Sequence, residues 1–399
     1  MKKLLLLGGL RYLIPVIKAA KALGHHVITC DYLPDNIAHT YSDEYHNVSI
    51  IDKEAVLALA RRLNIDGIMS FAVDPGVITA AYVAEKMGLP APGPFKSIEI
   101  LQNKGLFRQF LKEHNFNVPW AKSFTDIDQA LVETKNGEFP VIVKPVDSAG
   151  SKGVSKVTRW EDLEKAIQYA MRFSGSKTFI IEEFLESKGF TSDCECFSID
   201  GKLSFVSYSS QRFDEKAPNP YTPAAFSWPA GISRENQNYL TNELQRLLTL
   251  LNMKSSIYNV EARETKDGKA YIMEVSPRGG GNRLAEMVRY VTGVDLIKRA
   301  VQAALGETVE PVAQVEINAF WSEVILYSHS SGIFKELVIN EEVQDNVAEV
   351  DLWIKPGDKV SAFSAANDSI GTLVLRFDNK ERMEKVMKDY STYFQVIVN

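Results

Sequence analysis

SSIYNVEARETKDGKAYIMEVSPRGGG, residues Ser255–Gly281, reads as two strands on either side of Asp267-Gly268. Asp-Gly is favoured in two-residue hairpin turns, where both positions need positive φ. Pairing Lys266 with Lys269 around such a turn sets Glu261 directly opposite Glu274 on one face of an antiparallel ribbon. Like charges placed so destabilise a sheet. A hard divalent cation, Mg²⁺ or else Mn²⁺, would compensate them, because it favours carboxylate and phosphate oxygens. The alternative is an exposed hairpin with both carboxylates in water, and a one-residue slip would send one Glu to the other face. Beyond the pair, Ser276 can add an oxygen ligand, and Arg278 is placed to meet a phosphoryl group or an oxyanion. Gly279, Gly280 and Gly281 let backbone N–H groups approach an anion closely. An ordinary glycine turn with a surface arginine competes with that reading.

Working outward, FPVIVKPVDSAGSKGV (Phe139–Val154) is an apolar strand ending in Lys144, then a loop rich in Ser and Gly. A lysine in such surroundings either snorkels or has an anionic partner. Ser148, Ala149, Gly150, Ser151 and Gly153 could wrap their N–H groups around phosphates, or form a mobile surface loop. The order is not that of a Walker loop, in which the lysine follows the glycines. TFIIEEFLE ends a buried strand in Glu182 and Glu183. A hinge there could offer backbone groups to an adenine edge, with Phe184 and Leu185 against the ring. Solvated acids at a strand end are the plainer alternative.

Residues 1–90 alternate apolar strands with helices, which predicts a parallel sheet covered on both faces. Ligands of such sheets sit at the carboxyl ends of the strands, near Gly8, Gly9, Asp31 and Asp74. GLPAPGPF (88–95) reads as a boundary, followed by a helix with Ser97 as its cap. Antiparallel strands with hairpin signals at Asp200-Gly201 and Asp267-Gly268 fill 193–275, and a Pro-rich segment between them reads as a loop over a site. The tail from about 306 is mostly strands and one helix. Expected domains are therefore 1–95, 96–305 (with a flap subdomain at about 120–185 and an antiparallel subdomain at about 186–305) and 306–399. A net charge of −6 argues against general nucleic-acid binding. Three cysteines cannot build a disulfide framework and point to a reducing, cytoplasmic setting. Cys194 and Cys196 lack zinc spacing, LLGGLRYL lacks the dinucleotide fingerprint, and no apolar stretch is long enough to span a membrane.

In this order the pieces resemble the ATP-grasp superfamily over roughly residues 1–300. The resemblance is to the branch with carbamoyl-phosphate synthetase-like proteins, phosphoribosylglycinamide synthetase-like proteins and L-amino acid ligases. It implies α/β and α+β architecture: an N-terminal parallel α/β domain, a central ATP-grasp fold of two α+β subdomains, and a small mostly-β C-terminal domain. It also implies an ATP-dependent carboxylate–amine ligase working through an acyl phosphate, with ATP and Mg²⁺ as cofactors. Lys104 (in QNKGLFRQF) and Lys144 would contact ATP phosphates under the 148–153 flap, and Glu182, Glu183 and Leu185 would form the hinge. Glu261 and Glu274 would hold the metal, and Arg278 would stabilise the acyl phosphate. Ser276 stands where the family has Asn. Thr191 stands where a ribose-binding acid is expected, so Asp193 is the substitute. Asp74, Arg212, Gly280, Gly281 and Asn282 are the expected substrate contacts. The partners implied are a small carboxylate and an amine, with no nucleic acid, no membrane, and room for a homodimer. A sugar-phosphate substrate would instead call on Arg212, Arg283 and Arg289, and an ATP-binding regulator would lack catalysis.

Overall fold

The structure, a computed structural model, describes residues 1–312, 315, 317 and 319–399. The N-terminal region is β1 (Lys3–Leu7), α1 (Ile14–Ala22), β2 (His26–Asp31), β3 (Glu44–Asn47), α2 (Lys53–Leu63), β4 (Gly67–Ser70) and α3 (Pro75–Met87). Its four strands are all parallel in the order β3-β2-β1-β4. Leu4–Leu7, Val27 and Ile28 are fully buried, as uninterrupted apolar runs covered on both faces must be. The edge strand β3 has no apolar run (EYHN) and gave no strand signal in the sequence.

The expected helix after the 88–95 segment is two helices, α4 (Phe95–Gln102) and α5 (Lys104–Glu113). Ser97 is not a cap: it lies inside α4 and its hydroxyl donates to Leu251 O. Asn103 makes the break, because its side chain accepts from the N–H groups of Gly105 and Leu106 and so caps α5. Lys104 thereby becomes the first residue of a helix. A small antiparallel sheet follows from β5 (Ala121–Phe124), α6 (Ile127–Thr134), β6 (Val141–Pro145), β7 (Ser155–Val157), α7 (Leu163–Arg172) and β8 (Phe179–Glu183), in the order β5-β8-β6-β7. The Ser/Gly loop is the connection between the antiparallel strands β6 and β7.

The remaining elements are β9 (Thr191–Ile199), β10 (Lys202–Phe213), β11 (Pro223–Trp228), α8 (Arg234–Leu250), β12 (Ser256–Glu264), β13 (Ala270–Ser276), α9 (Leu284–Thr292), α10 (Leu296–Ala304), β14 (Phe320–Leu326), β15 (Gly332–Ile339), β16 (Val347–Leu352), β17 (Lys359–Val360), β18 (Gly371–Phe377), α11 (Lys380–Lys388), α12 (Tyr390–Tyr393) and β19 (Phe394–Val398). Eight strands form one sheet, β13-β12-β9-β10-β11-β14-β18-β16. The expected boundary at 305/306 falls between α10 and β14, yet β14, β16 and β18 extend the sheet begun by β9–β13.

The two hairpin signals resolve differently. Ile199 pairs with Lys202 around Asp200-Gly201, and both turn residues have positive φ, as that tight turn demands. At Asp267-Gly268 the loop has three residues: Thr265 N donates to Lys269 O, and Gly268, at φ +85°, donates back to Thr265 O. That shifts the pairing by one, to Ala262 opposite Ile272. A bulge between Glu261 and Ala262 then restores it, so Glu261 does stand opposite Glu274. The expected pair forms by a different route, through two compensating irregularities.

Candidate functional site

Register places the acids before any side chain is considered. Asp193, Glu261 and Glu274 stand in one row across β9, β12 and β13, and Glu195, Asn259 and Ser276 stand in the next. Alternation puts both rows on one face, while Cys194, Cys196, Val260 and Ala262 point the other way into a core beneath α8. Burial, then Glu274, raises the carboxyl of Glu261. Burial, then Glu261 and Glu195, pushes Asp193 well above the usual range, while Asn259 Nδ2 donates to Asp193 Oδ1 at 2.5 Å. Burial also lifts Glu195 to about 8.

Cations converge on this face. Lys104 Nζ lies 3.3 Å from Glu274 Oε2 and donates to Ser148 O at 3.0 Å, so the flap rests on the Lys104 ammonium. Burial would lower Lys104, but Glu274, Asp74 and Glu261 together raise it. Lys144, on β6, bonds Glu182 Oε1 at 2.5 Å. Burial, with Arg108 and Lys104 close by, lowers Lys144 despite Glu182. Glu182 is itself buried between Lys144 and Arg108, whose Nε reaches Glu182 Oε2 at 3.0 Å. Burial alone would raise Glu182; the two cations bring it down to about 2. Its side chain therefore organises cations beneath the flap, while Glu183 is exposed at the strand end, its N–H donating to Trp120 O. Phe184 carries the Lys156 ammonium 3.7 Å from its ring centroid, and the buried Leu185 accepts from Arg263 at its carbonyl.

The flap turns at Gly150 and Ser151, both at positive φ, with Ala149 between Ser148 and this turn. Ser151 Oγ donates to Tyr221 O at 2.8 Å, so the stretch 214–222 of the Pro-rich segment lies against the flap, whereas Pro223–Trp228, expected as loop, forms β11. A β-carbon on Gly153 (φ +74°) would press on Pro145 and Phe173 at about 3 Å.

Arg278 and Asp74 form a bidentate pair, with two contacts of 2.7 Å from Nη2 and one of 2.9 Å from Nε. Asp74 is held down by Arg278 against the upward pull of burial. Ser276 Oγ donates to Asp74 Oδ1 at 3.0 Å and accepts from Gln102, so its hydroxyl faces this pair. Gly280 N donates to Glu195 Oε1 at 2.9 Å, and a β-carbon there would come within 2.7 Å of that oxygen. Gly281 is open, and Asn282 Oδ1 accepts from Tyr12 OH at 3.2 Å.

One expected substrate contact is misplaced. Arg212 is adjacent to Gln211, so it points to the opposite face of the sheet from Glu261 and Glu274, where Nη1 bonds Ser227 Oγ and the guanidinium lies over Phe190. Gln211 takes the site face instead, donating to Asp193 Oδ2 at 3.3 Å. The residues that sequence reading missed are Gln211, Asn259, Glu195, Arg108, Arg263 and Tyr12. For Glu195 a signal existed, since it is two residues from Asp193 on a strand.

Residues 137–286 match the ATP-grasp domain family, and residues 17–91 match the ATP-grasp N-terminal domain family. The chain is 27% identical over 222 residues to the carbamoyl phosphate synthase large chain of Thermoanaerobacter sp., covering 54% of this chain and 20% of that one. It thus spans about a fifth of that relative's length. Its fold is that of an L-amino acid ligase from Bacillus licheniformis (TM-score 0.80, 21% identity, 100% and 99% of the two chains). Phosphoribosylglycinamide synthetase from Anaerococcus prevotii is similar as well (TM-score 0.76, 21% identity, 100% of both chains). Two stretches of the chain thus match ATP-grasp family models, and the chain as a whole shares its fold with these two solved structures.

Proposed function

We propose that the chain is an ATP-dependent carboxylate–amine ligase. The observation that carries this is the row Asp193–Glu261–Glu274 facing Lys104 and Lys144 beneath a Ser/Gly flap. ATP would lie with its adenine at Glu183–Leu185 and its phosphates against Lys104 and Lys144.

Glu261 and Glu274 fit a hard divalent cation, because each raises the charge burden of the other and Lys104 offsets only part of it. Among the described residues no three His, Cys, Asp or Glu gather into a metal site, so such an ion would depend on nucleotide phosphates for its remaining ligands. When bound, Mg²⁺ would neutralise charge on the phosphates. A substrate carboxylate oxygen attacks the γ-phosphorus, the bond to the bridging oxygen breaks, and ADP leaves. The amine then adds to the acyl carbon, phosphate leaves, and the proton lost from the nitrogen passes to the departing phosphate. Lys104 and Lys144 neutralise the oxygens of the transferring group, and the flap excludes water from the acyl phosphate. Arg278 exchanges part of its contact with Asp74 for the oxyanion.

A sugar-phosphate substrate is not favoured. Arg212 faces away, Arg283 is held by Glu286 and Glu349, and Arg289 is largely exposed beside Asp295. ADP release across a panel of carboxylates and amines, with mass spectrometry of products, tests the ligase reading. ATP binding without stimulation by any panel member would leave an ATP-binding regulator instead.

A further inference from the structure

The site face of the large sheet continues past the nucleotide end. Thr191, Gln211, Phe226, Glu323, Val374 and Glu349 lie in one row across β9, β10, β11, β14, β18 and β16, two residues along from the Asp193 row. At the far end of that row stands a second ionic cluster. Arg283, at the start of α9, lies 2.7 Å from Glu349, 3.3 Å from Glu286 and 3.9 Å from Asp351, and donates to Thr372 Oγ1 at 3.0 Å. Glu323 adds a fourth acid. It is fully buried, and among the described residues neither of its oxygens has a hydrogen-bond partner.

The acids of the cluster are graded from surface to core. Side-chain exposure falls from 40% at Asp351, through 32% at Glu349 and 27% at Glu286, to none at Glu323. One wall is Tyr12, edge-on to Trp353, whose indole N–H donates to Asp351. The Tyr12 hydroxyl bonds Asn282, which ties this wall to the glycine turn after Arg278. Four acids around one guanidinium leave negative charge uncompensated, and an unpartnered buried carboxyl is costly. The acids do not form a metal site.

We propose that this acidic cluster binds a primary ammonium group carried by the substrate in addition to its reacting group, with Glu323 as its innermost acid. This rests on the ligase reading above and narrows its substrates to amino acids or diamines. Burial pushes the Glu323 carboxyl well up, Arg283 opposes this, and Glu286 and Glu349 add to it. Burial thus favours the protonated Glu323 carboxyl, and an arriving ammonium favours its carboxylate: where the acid form is present, R–NH₃⁺ and the carboxylic acid become an ammonium–carboxylate pair and one released H⁺. No proton leaves the ammonium.

The test is calorimetry of butylamine, putrescine, butyrate and butanol on the full chain with MgADP, in two buffers of different ionisation heat. Expected are binding of the two amines with proton release, no binding of butyrate or butanol, and affinity at least about tenfold weaker in Glu323→Gln, with MgADP affinity retained. Glu349→Gln, at a more exposed acid of the cluster, should weaken amine binding less. No amine binding to the wild type, equal amine affinity in Glu323→Gln, or butyrate bound as well as butylamine would each overturn the proposal. The two readings fail separately. Turnover as fast with substrates lacking an extra ammonium keeps the ligase reading and sinks this one, whereas amine binding lost in Glu323→Gln, without any turnover, does the reverse.

Discussion

The two ends of the large sheet share one face and differ in charge balance. At the end proposed for the nucleotide, Glu182 is clasped by Lys144 and Arg108, Glu274 by Lys104, and Asp74 by Arg278. At the far end, Arg283 stands alone among Glu286, Glu323, Glu349 and Asp351. Burial is comparable at Glu182 and Glu323, yet one carboxyl is driven down to about 2 and the other well up. Desolvation acts alike on both; the number of opposite charges within reach decides the sign. An end that gathers cations is suited to phosphates, and an end that gathers acids is suited to an amine.

The sharpest break of this contrast is in activity. Glu274→Gln removes half of the carboxylate pair and leaves Lys104 without its closest acid. Substrate-dependent ADP release should fall by about 10²–10³-fold, the scale for losing one electrostatic element of a site. ATP turnover that survives intact would sink the role assigned to the pair.

Next is Glu182→Gln, which leaves Lys144 and Arg108 buried and uncompensated. A loss of about 3–5 kcal/mol in urea unfolding is expected, as for breaking any buried pair from one side. The sign with pH follows from the depressed carboxyl. Its contribution is fully present above its ordinary value of 4.5 and is lost as pH falls from there towards about 2. Glu182→Gln should lack that part of the acid slope.

Glu195 gives the opposite slope. Its carboxyl is raised from 4.5 to about 8, so the folded state gains from the protonated form below 4.5 and loses that gain as pH rises through 8. Unfolding midpoints of Glu195→Gln measured from pH 5 to 8 should fall less than those of the wild type. An identical slope in the two proteins would show that the Gly280 N–H already compensates its charge.

The smallest effect should come at the far end. Burial favours the neutral form of Glu323, and Glu323→Gln puts a neutral amide of nearly the same shape in its place, so stability should change by less than about 1 kcal/mol, against the several lost in Glu182→Gln. A large loss would mean that the ionised carboxylate is structural, and the difference between the two ends would shrink to one of degree.

Much of the local geometry at the Lys104–Lys144 end was legible in the sequence because local rules specify it. Period-two alternation puts Glu261 and Glu274 on matching faces, the lysine before Pro145 marks a strand end, and the glycines mark a flap. The same rule, applied to β10, would have rejected Arg212 in favour of Gln211, since adjacent strand residues cannot share a face. The turn at Asp267-Gly268 was read one residue too short, and only a bulge that leaves no trace in the sequence brought the pair back into register.

The sequence by itself determined the parallel N-terminal sheet and the Ser/Gly loop between two strands, because periodicity, turn chemistry and strand polarity act over a few residues, whereas the facing of Glu261 and Glu274 also needed the bulge. Tertiary structure alone decided which charges meet. Asp74 reaches Arg278 across 204 positions, Arg108 meets Glu182 across 74, and Glu323 is buried beside Arg283 because β14 joins the sheet begun by β9. Electrostatic partnership depends on distance in space, and neither spacing nor composition encodes that.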